Sequence, residues 1–300
     1  MANSTNAPLD GLTTNTNFLK ELDLSYRLIK RILSHRPKTG KKQYGQRSIE
    51  FRDYRPYVPG DDLHRVDWNV FRRLNELVIR EYAIEIPKFW ILGMDISPSM
   101  LMYQKENAAA RLVIAILYIA LSLNDKAAFF PFPTKKQQFF QYQNRQNISR
   151  MFYHFEQLKY SQFTPAGYSF RHIFTHTPKR AQALLVSDFY DKSSLDFFLP
   201  AKSRNMPSYA IQIIAEEEHT PSITGDFILH DIENHQHHRK KLTSQSLKNY
   251  KKRFQEHINQ VKSFCHQHNV IHTTITPNAS LNQVLMKLFQ LMGLSSIHAR

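Results

Sequence analysis

Apolar and polar positions along the chain change texture near residue 88. Upstream, "NFLKELDLSYRLIKRILSHR" sets Leu19, Leu22, Leu24, Leu28, Ile29 and Ile32 at roughly helical spacing. That spacing predicts an amphipathic helix ending near His35, with Pro37 and Gly40 beyond it. Short β-like segments follow around "SIEFRDYRPY" and "ELVIREYAIEI", and Pro87 closes them. Downstream, apolar runs alternate with helical patterns. "FWILGMDI", "ALLVSDFY", "SYAIQIIA" and "VIHTTITP" predict strands, and "AAFFPF" with "QFFQYQ" a strand pair. "DFILHDIENHQHHRKKL" has the pattern of a hairpin. Helices are predicted over "QKENAAARLVIAILYIALSLN", "ISRMFYHFEQL", "SSLDFFLPA", "SLKNYKKRFQEHINQVKSFCHQHN" and "LNQVLMKLFQLMG". Apolar strands alternating with helices specify an α/β fold, a parallel sheet covered on both faces. Three segments are expected: a polar, disordered stretch over 1–16, a helix with a β-rich element over 17–87, and the α/β domain over 88–300.

Composition narrows the class. A chain that is 42% hydrophobic and 12% aromatic can build a sizeable core. The single cysteine, Cys265, excludes an internal disulfide and fits a reducing compartment. The start, "MANSTNAPLDGLTTNTN", has no apolar core and does not read as a secretory signal. The longest apolar run, Leu112 to Leu123, is too short to span a bilayer, so a soluble, cytoplasmic protein is expected. A net charge of +15 favours anionic partners. The basic run around Arg239, Lys240, Lys241, Lys248, Lys251, Lys252 and Arg253 has only Tyr250 interleaved and matches no nucleic-acid motif, which disfavours nucleic-acid binding.

Candidate chemistry sits at strand ends. "FWILGMDISPSM" delivers Asp95, Ser97 and Ser99 in the loop after a buried strand, with Pro98 stiffening it. "ALLVSDFYD" delivers Asp188 in the same way, and the Pro/Gly loop "FTPAGYSF" carries Thr164 and Ser169. Ligands bind at the carboxyl ends of strands in open α/β sheets. An oxygen-rich cluster there suits Mg²⁺ or Mn²⁺. The competing reading is that Asp95 and Ser99 only cap a turn or the next helix. A phosphatase of the haloacid-dehalogenase kind needs a carboxylate where Ser97 stands, and G-x-S-x-G and both phosphate-binding glycine motifs are missing. His235, His237 and His238 lack a Cys pair nearby and read as a solvated hairpin tip rather than a zinc site.

The strand-Asp-x-Ser-x-Ser pattern resembles the metal-ion-dependent adhesion site of von Willebrand factor type A domains. The preceding segment narrows the likeness. Arg55, Tyr57, Gly60, Asp61, Asp62, Arg65, Asp67, Trp68, Arg72, Arg80 and Glu81 stand in a pattern similar to the signature of the domain of unknown function 58 family. The resemblance implies a Rossmann-like type A domain beside a small β-rich element. It implies a non-enzymatic protein-binding role, with a MoxR-type AAA+ ATPase as partner. It also implies that Asp95, Ser97, Ser99 and Asp188 hold Mg²⁺ or Mn²⁺. The middle loop departs from the family, with Gly167, Tyr168 and Ser169 where a threonine ligand is usual. Thr164 or Ser169 would have to supply that ligand, or the site would be weak or vestigial. A metal-dependent phosphoester hydrolase, or a basic nucleic-acid binder with a vestigial metal site, are the alternatives. The charged stretch from Asp61 to Arg72 is expected to be an internal network that locks the β element to the main domain, anchored by Trp68.

Overall fold

The computed structural model describes residues 15–34, 49–84, 87–134, 138–159, 169–221, 225–230 and 237–298. The chain divides into two compact units, residues 36–87 and residues 1–35 with 88–300. Helix α1 (Thr16–Ser34) opens the larger unit. Its apolar stripe buries Phe18, Leu22 and Ile29 in the same core as the sheet helices. The sequence pattern groups this helix with the β-rich element, but periodicity says only that a face is buried, not against what.

The smaller unit holds β1 (Ile49–Pro56), α2 (Trp68–Leu74) and β2 (Val78–Ile84). The strands pair antiparallel, as their texture predicts. The short helix between them has too few residues to show a period. It forms because buried Asp67 caps it, accepting from the N–H groups of Asn69 and Val70. The other oxygen of Asp67 accepts from Arg80 Nε at 2.7 Å and from the Tyr54 hydroxyl at 2.8 Å, so one carboxylate ties helix to both strands. Asp61 separately forks onto Arg55. Trp68 is 51% exposed and stacks edge-on to Phe71, so it does not anchor this network. The partners described for Asp67 and Asp61 all lie inside the smaller unit.

The bond from Arg80 is the main reason that the Asp67 carboxyl titrates well below the usual carboxylate range, against the opposing effect of burial. A depressed carboxylate stabilises above its unfolded pKa and loses that contribution as acid takes the pH through its folded value. Asp67→Ala is expected to lower the melting temperature at pH 7 by roughly 2–4 °C, with Asp67→Asn, which keeps the cap, losing less. Unchanged melting together with loss of a binding partner would make this segment an interface instead.

The larger unit continues with β3 (Phe89–Asp95), α3 (Lys105–Ser122), β4 (Lys126–Phe132), β5 (Phe140–Tyr142) and α4 (Ile148–Glu156). Then come α5 (Arg171–Thr175), β6 (Gln182–Ser187), α6 (Phe198–Ser203), β7 (Ser208–Ile213) and α7 (Glu216–His219). The hairpin β8 (Gly225–His230) and β9 (His237–Leu242) follows, then α8 (Ser244–Gln267), β10 (Val270–Ile275) and α9 (Leu281–His298). Six strands form one sheet in the order β10-β7-β6-β3-β4-β5, parallel except for β5.

Period-two alternation sorts the strand side chains between two cores. Trp90, Leu92 and Met94 of β3 face α1, α3, α4 and α9, while Ile91 faces α5, α6 and α8. Leu184 and Val186 of β6 go to the first core, Ala183 and Leu185 to the second. Helix α3 is largely apolar and mostly covered, with Asn107, Ala108, Arg111 and Tyr118 partly exposed. At Gly93 the sheet leaves no room for a side chain: a Cβ there would overlap Leu185 and Phe130 from the strands on either side. Among the described residues no helix is long and apolar enough to cross a membrane.

Candidate binding site at the sheet switch point

The strand order reverses between β3 and β6. After β3 the chain moves outward through β4 and β5; β6 then pairs on the other side of β3, and β7 and β10 continue away. Connections therefore leave the carboxyl ends of β3 and β6 in opposite directions, which opens the crevice where ligands bind in such sheets. Asp95 is the last residue of β3, and Asp188 directly follows β6. Both are buried, as is Ser97.

Each carboxylate is held by its own loop. Asp95 Oδ1 accepts from the Ser97 N–H at 2.8 Å, and Asp95 Oδ2 accepts from the Ser187 hydroxyl across the crevice. The Ser97 and Ser99 hydroxyl oxygens lie 3.1 Å apart. Asp188 Oδ1 accepts from the Tyr190 N–H, while its backbone carbonyl accepts from Gln212 Nε2 on β7. The far side of Gln212 meets His272 of β10 at 3.1 Å. Burial first, and then the positive charge of Lys262, push the His272 ring down to about 4, so near neutral pH it can donate one proton to Gln212 Oε1.

A lysine completes the site. Lys105, the first residue of α3, is 0% exposed. Its Nζ donates to Asp188 Oδ2 at 2.9 Å and to Glu218 Oε1 at 2.6 Å, and sits 4.7 Å from the centre of the Tyr190 ring. Burial pushes the ammonium toward losing its proton, but Asp188 and Glu218 outweigh that and hold its pKa above the ordinary lysine value. Glu218 Oε2 in turn accepts from the Ala215 N–H, and the Glu218 carbonyl accepts from the Tyr250 hydroxyl of α8. Among the described residues, none of the ion pairs reaches Asp95. Burial, and then the charge of Asp188, push its carboxyl up to about 7, more than the bonds from Ser187 and Ser97 recover.

Of the residues singled out from sequence, Asp95, Ser97, Ser99 and Asp188 come together. Thr164, Gly167 and Tyr168 lie outside the described residues. Ser169 is exposed, and its backbone carbonyl lies 3.0 Å from the His172 ring nitrogen Nδ1. The hairpin tip with His235 also lies outside the described residues, while His237 and His238 belong to β9. Sequence reasoning missed Ser187, Lys105 and Glu218. The polar run "QKEN" at the start of a largely apolar helix is a local hint of Lys105, but it does not say what the lysine meets.

The donor set fits a small divalent cation in two respects. One ammonium, Lys105, stands among the carboxylates of Asp95, Asp188 and Glu218, so with all three ionised this cluster carries a formal charge of −2. The spacing of the two serine oxygens is close to the separation, about 3.0 Å, of neighbouring ligands in an octahedral Mg²⁺ shell. Among the described residues no group of three or more His, Cys, Asp or Glu side chains is placed to hold a metal ion, so this set depends on serine hydroxyls.

Fold and site together define a mixed α/β protein with a mostly parallel six-stranded sheet and an acidic crevice at its switch point. The model of the family described as protein of unknown function DUF58 matches residues 53–261, and the chain belongs to that family. Among solved structures it is similar to the conserved hypothetical protein BatB from Bacteroides thetaiotaomicron. That likeness has 14% sequence identity, covers 70% of this chain and 98% of that one, and has a TM-score of 0.41. It is also similar to an aerotolerance-related membrane protein from Bacteroides fragilis NCTC 9343 with multiple mutations to serines. There the identity is 14%, the coverage 68% of this chain and 97% of that one, and the TM-score 0.37. No curated protein matches the chain.

Proposed function

We propose that this chain is a cytoplasmic, non-enzymatic protein-binding module of the von Willebrand type A kind, whose crevice takes Mg²⁺ or Mn²⁺ and whose partner is a MoxR-type AAA+ ATPase. The observation that carries the reading is the meeting of Asp95, Ser97, Ser99 and Asp188 at the switch point. The family resemblance supplies the partner class. Asp95, Ser97, Ser99 and Asp188 would hold the ion, with Ser169 or Thr164 as further oxygen donors. A bound ion would supply an electrophilic coordination position for a partner's carboxylate. The chain's own part is to keep both carboxylates fixed and dry, through Ser187, Tyr190 and the Gln212–His272 relay.

The test uses the purified full chain and a purified MoxR-type ATPase from the same host, titrated with Mg²⁺ and with chelator. Association is expected with Mg²⁺, and is expected to be lost with chelator or in Asp95→Ala. Equal association in all three conditions would remove the ion from the mechanism, and none in any would remove the partner.

A further inference from the structure

The crevice already contains a cation. Lys105 reaches Asp188 from a helix that starts 83 residues earlier in the chain, and reaches Glu218 across 113 residues. Its side chain is fully enclosed, and Glu218 and Asp188 are almost so. A buried ammonium needs partners for its three protons. Two carboxylates take it up, and the Tyr190 ring face lies beside it. Such an arrangement is built, since a lysine tail buried without those anions would be strongly unfavourable.

We propose that the Lys105 ammonium is the resident cation of this crevice and competes with a divalent ion for Asp188, with Glu218 setting the balance. This rests on reading the crevice as a cation site. An ammonium bonded to Asp188 Oδ2 repels a divalent ion approaching the same carboxylate, and takes one of its oxygens. Glu218 is the nearer of the two anions, at 2.6 Å against 2.9 Å, and draws the ammonium's charge away from Asp188. The two residues therefore act in opposite senses on the same carboxylate. Lys105 weakens its hold on a metal, and Glu218 restores it. The protein would keep its crevice intact without metal and load an ion only when the ion outcompetes the ammonium.

The experiment is calorimetric titration of the full chain with Mn²⁺ and Mg²⁺, with folding checked by circular dichroism. Lys105→Met keeps the length of the side chain and removes its charge. It is expected to bind Mn²⁺ about tenfold more tightly than wild type, and Glu218→Gln about threefold or more weakly. The double variant Lys105→Met/Glu218→Gln leaves no unpaired charge on either residue and is expected to fall between wild type and Lys105→Met. If Lys105→Met does not fold, the double variant carries the test and must bind more tightly than wild type. Binding by the lysine-free variant but not by wild type supports the competition and overturns metal loading of the native crevice. Equal or weaker binding by the lysine-free variant overturns the competition and leaves the cation site standing. No binding by any variant overturns both.

Discussion

Lys105→Met is expected to lower the free energy of unfolding at pH 7, in chelator, by about 3–5 kcal/mol. The substitution breaks a buried ion cluster from one side and leaves Asp188 and Glu218 enclosed without a countercharge. In wild type the sign is plain. The folded pKa of Lys105 is raised, so its contribution is fully present below the unfolded value, about 10.4, and is lost only as pH rises through the folded one. The variant should behave differently. Burial without a counterion favours the protonated carboxyl, so its stability is expected to climb as pH falls from about 8 toward about 5. Urea denaturation across that range measures both effects. A loss below about 1 kcal/mol with a flat pH profile would mean that the cluster is solvated and holds little energy. The double variant with Glu218→Gln should recover much of the loss, because removing both members of a pair leaves fewer orphaned charges than removing one.

The sheet was legible because its strands are short apolar runs bounded by polar turns. Trp90 to Met94 and Ala183 to Val186 are buried on both faces, and their sequence has no polar interruption to show which face is which. The β4–β5 strand pair and the β8–β9 hairpin were also readable, and the structure shows both pairings to be antiparallel. Helix α2 was not, since seven residues between two β-like segments give no period, and its start depends on one aspartate whose cap geometry forms only with the turn. The loops with Asp95 and Asp188 were legible for a chemical reason: carboxylates and hydroxyls at the end of an apolar strand have few uses. Lys105 and Glu218 were not, because nothing local says that they meet. Their contact is fixed by the order β7-β6-β3, which puts the loops after three strands side by side. A lysine at a helix start reads from sequence as a solvated end; the apolar helix behind it and the two acids in front of it bury it.

Asp95→Asn is expected to stabilise the metal-free protein at pH 8 by about 2–4 kcal/mol while abolishing binding of a divalent ion. Asp95 lies between buried strands, near Asp188, and its carboxyl is pushed up to about 7, above its unfolded value near 3.8. For an acid raised on folding, the native state holds the proton more tightly than the unfolded chain. Wild-type stability must therefore fall as pH rises from about 4 to about 7, and level off above. Asparagine keeps the shape and a carbonyl oxygen for the Ser97 N–H, but it cannot ionise. Its pH profile should lose that slope, so wild type and variant should agree near pH 4 and separate by pH 8. Adding Mg²⁺ at pH 8 should raise the melting temperature of wild type but not of the variant, since only an ionised Asp95 gains from a cation. Thermal and urea unfolding of both proteins, with Mg²⁺ and with chelator, at pH 4, 6 and 8 separates these effects. Parallel pH profiles would show that Asp95 stays ionised without help, and that the negative charge of the crevice is balanced by groups already in the fold. A variant less stable than wild type at every pH would show that Ser187 needs the carboxylate as its acceptor more than the crevice suffers from its charge. The expected result is a trade of stability for function: an aspartate that costs the fold energy until a cation arrives is placed for binding, not for packing.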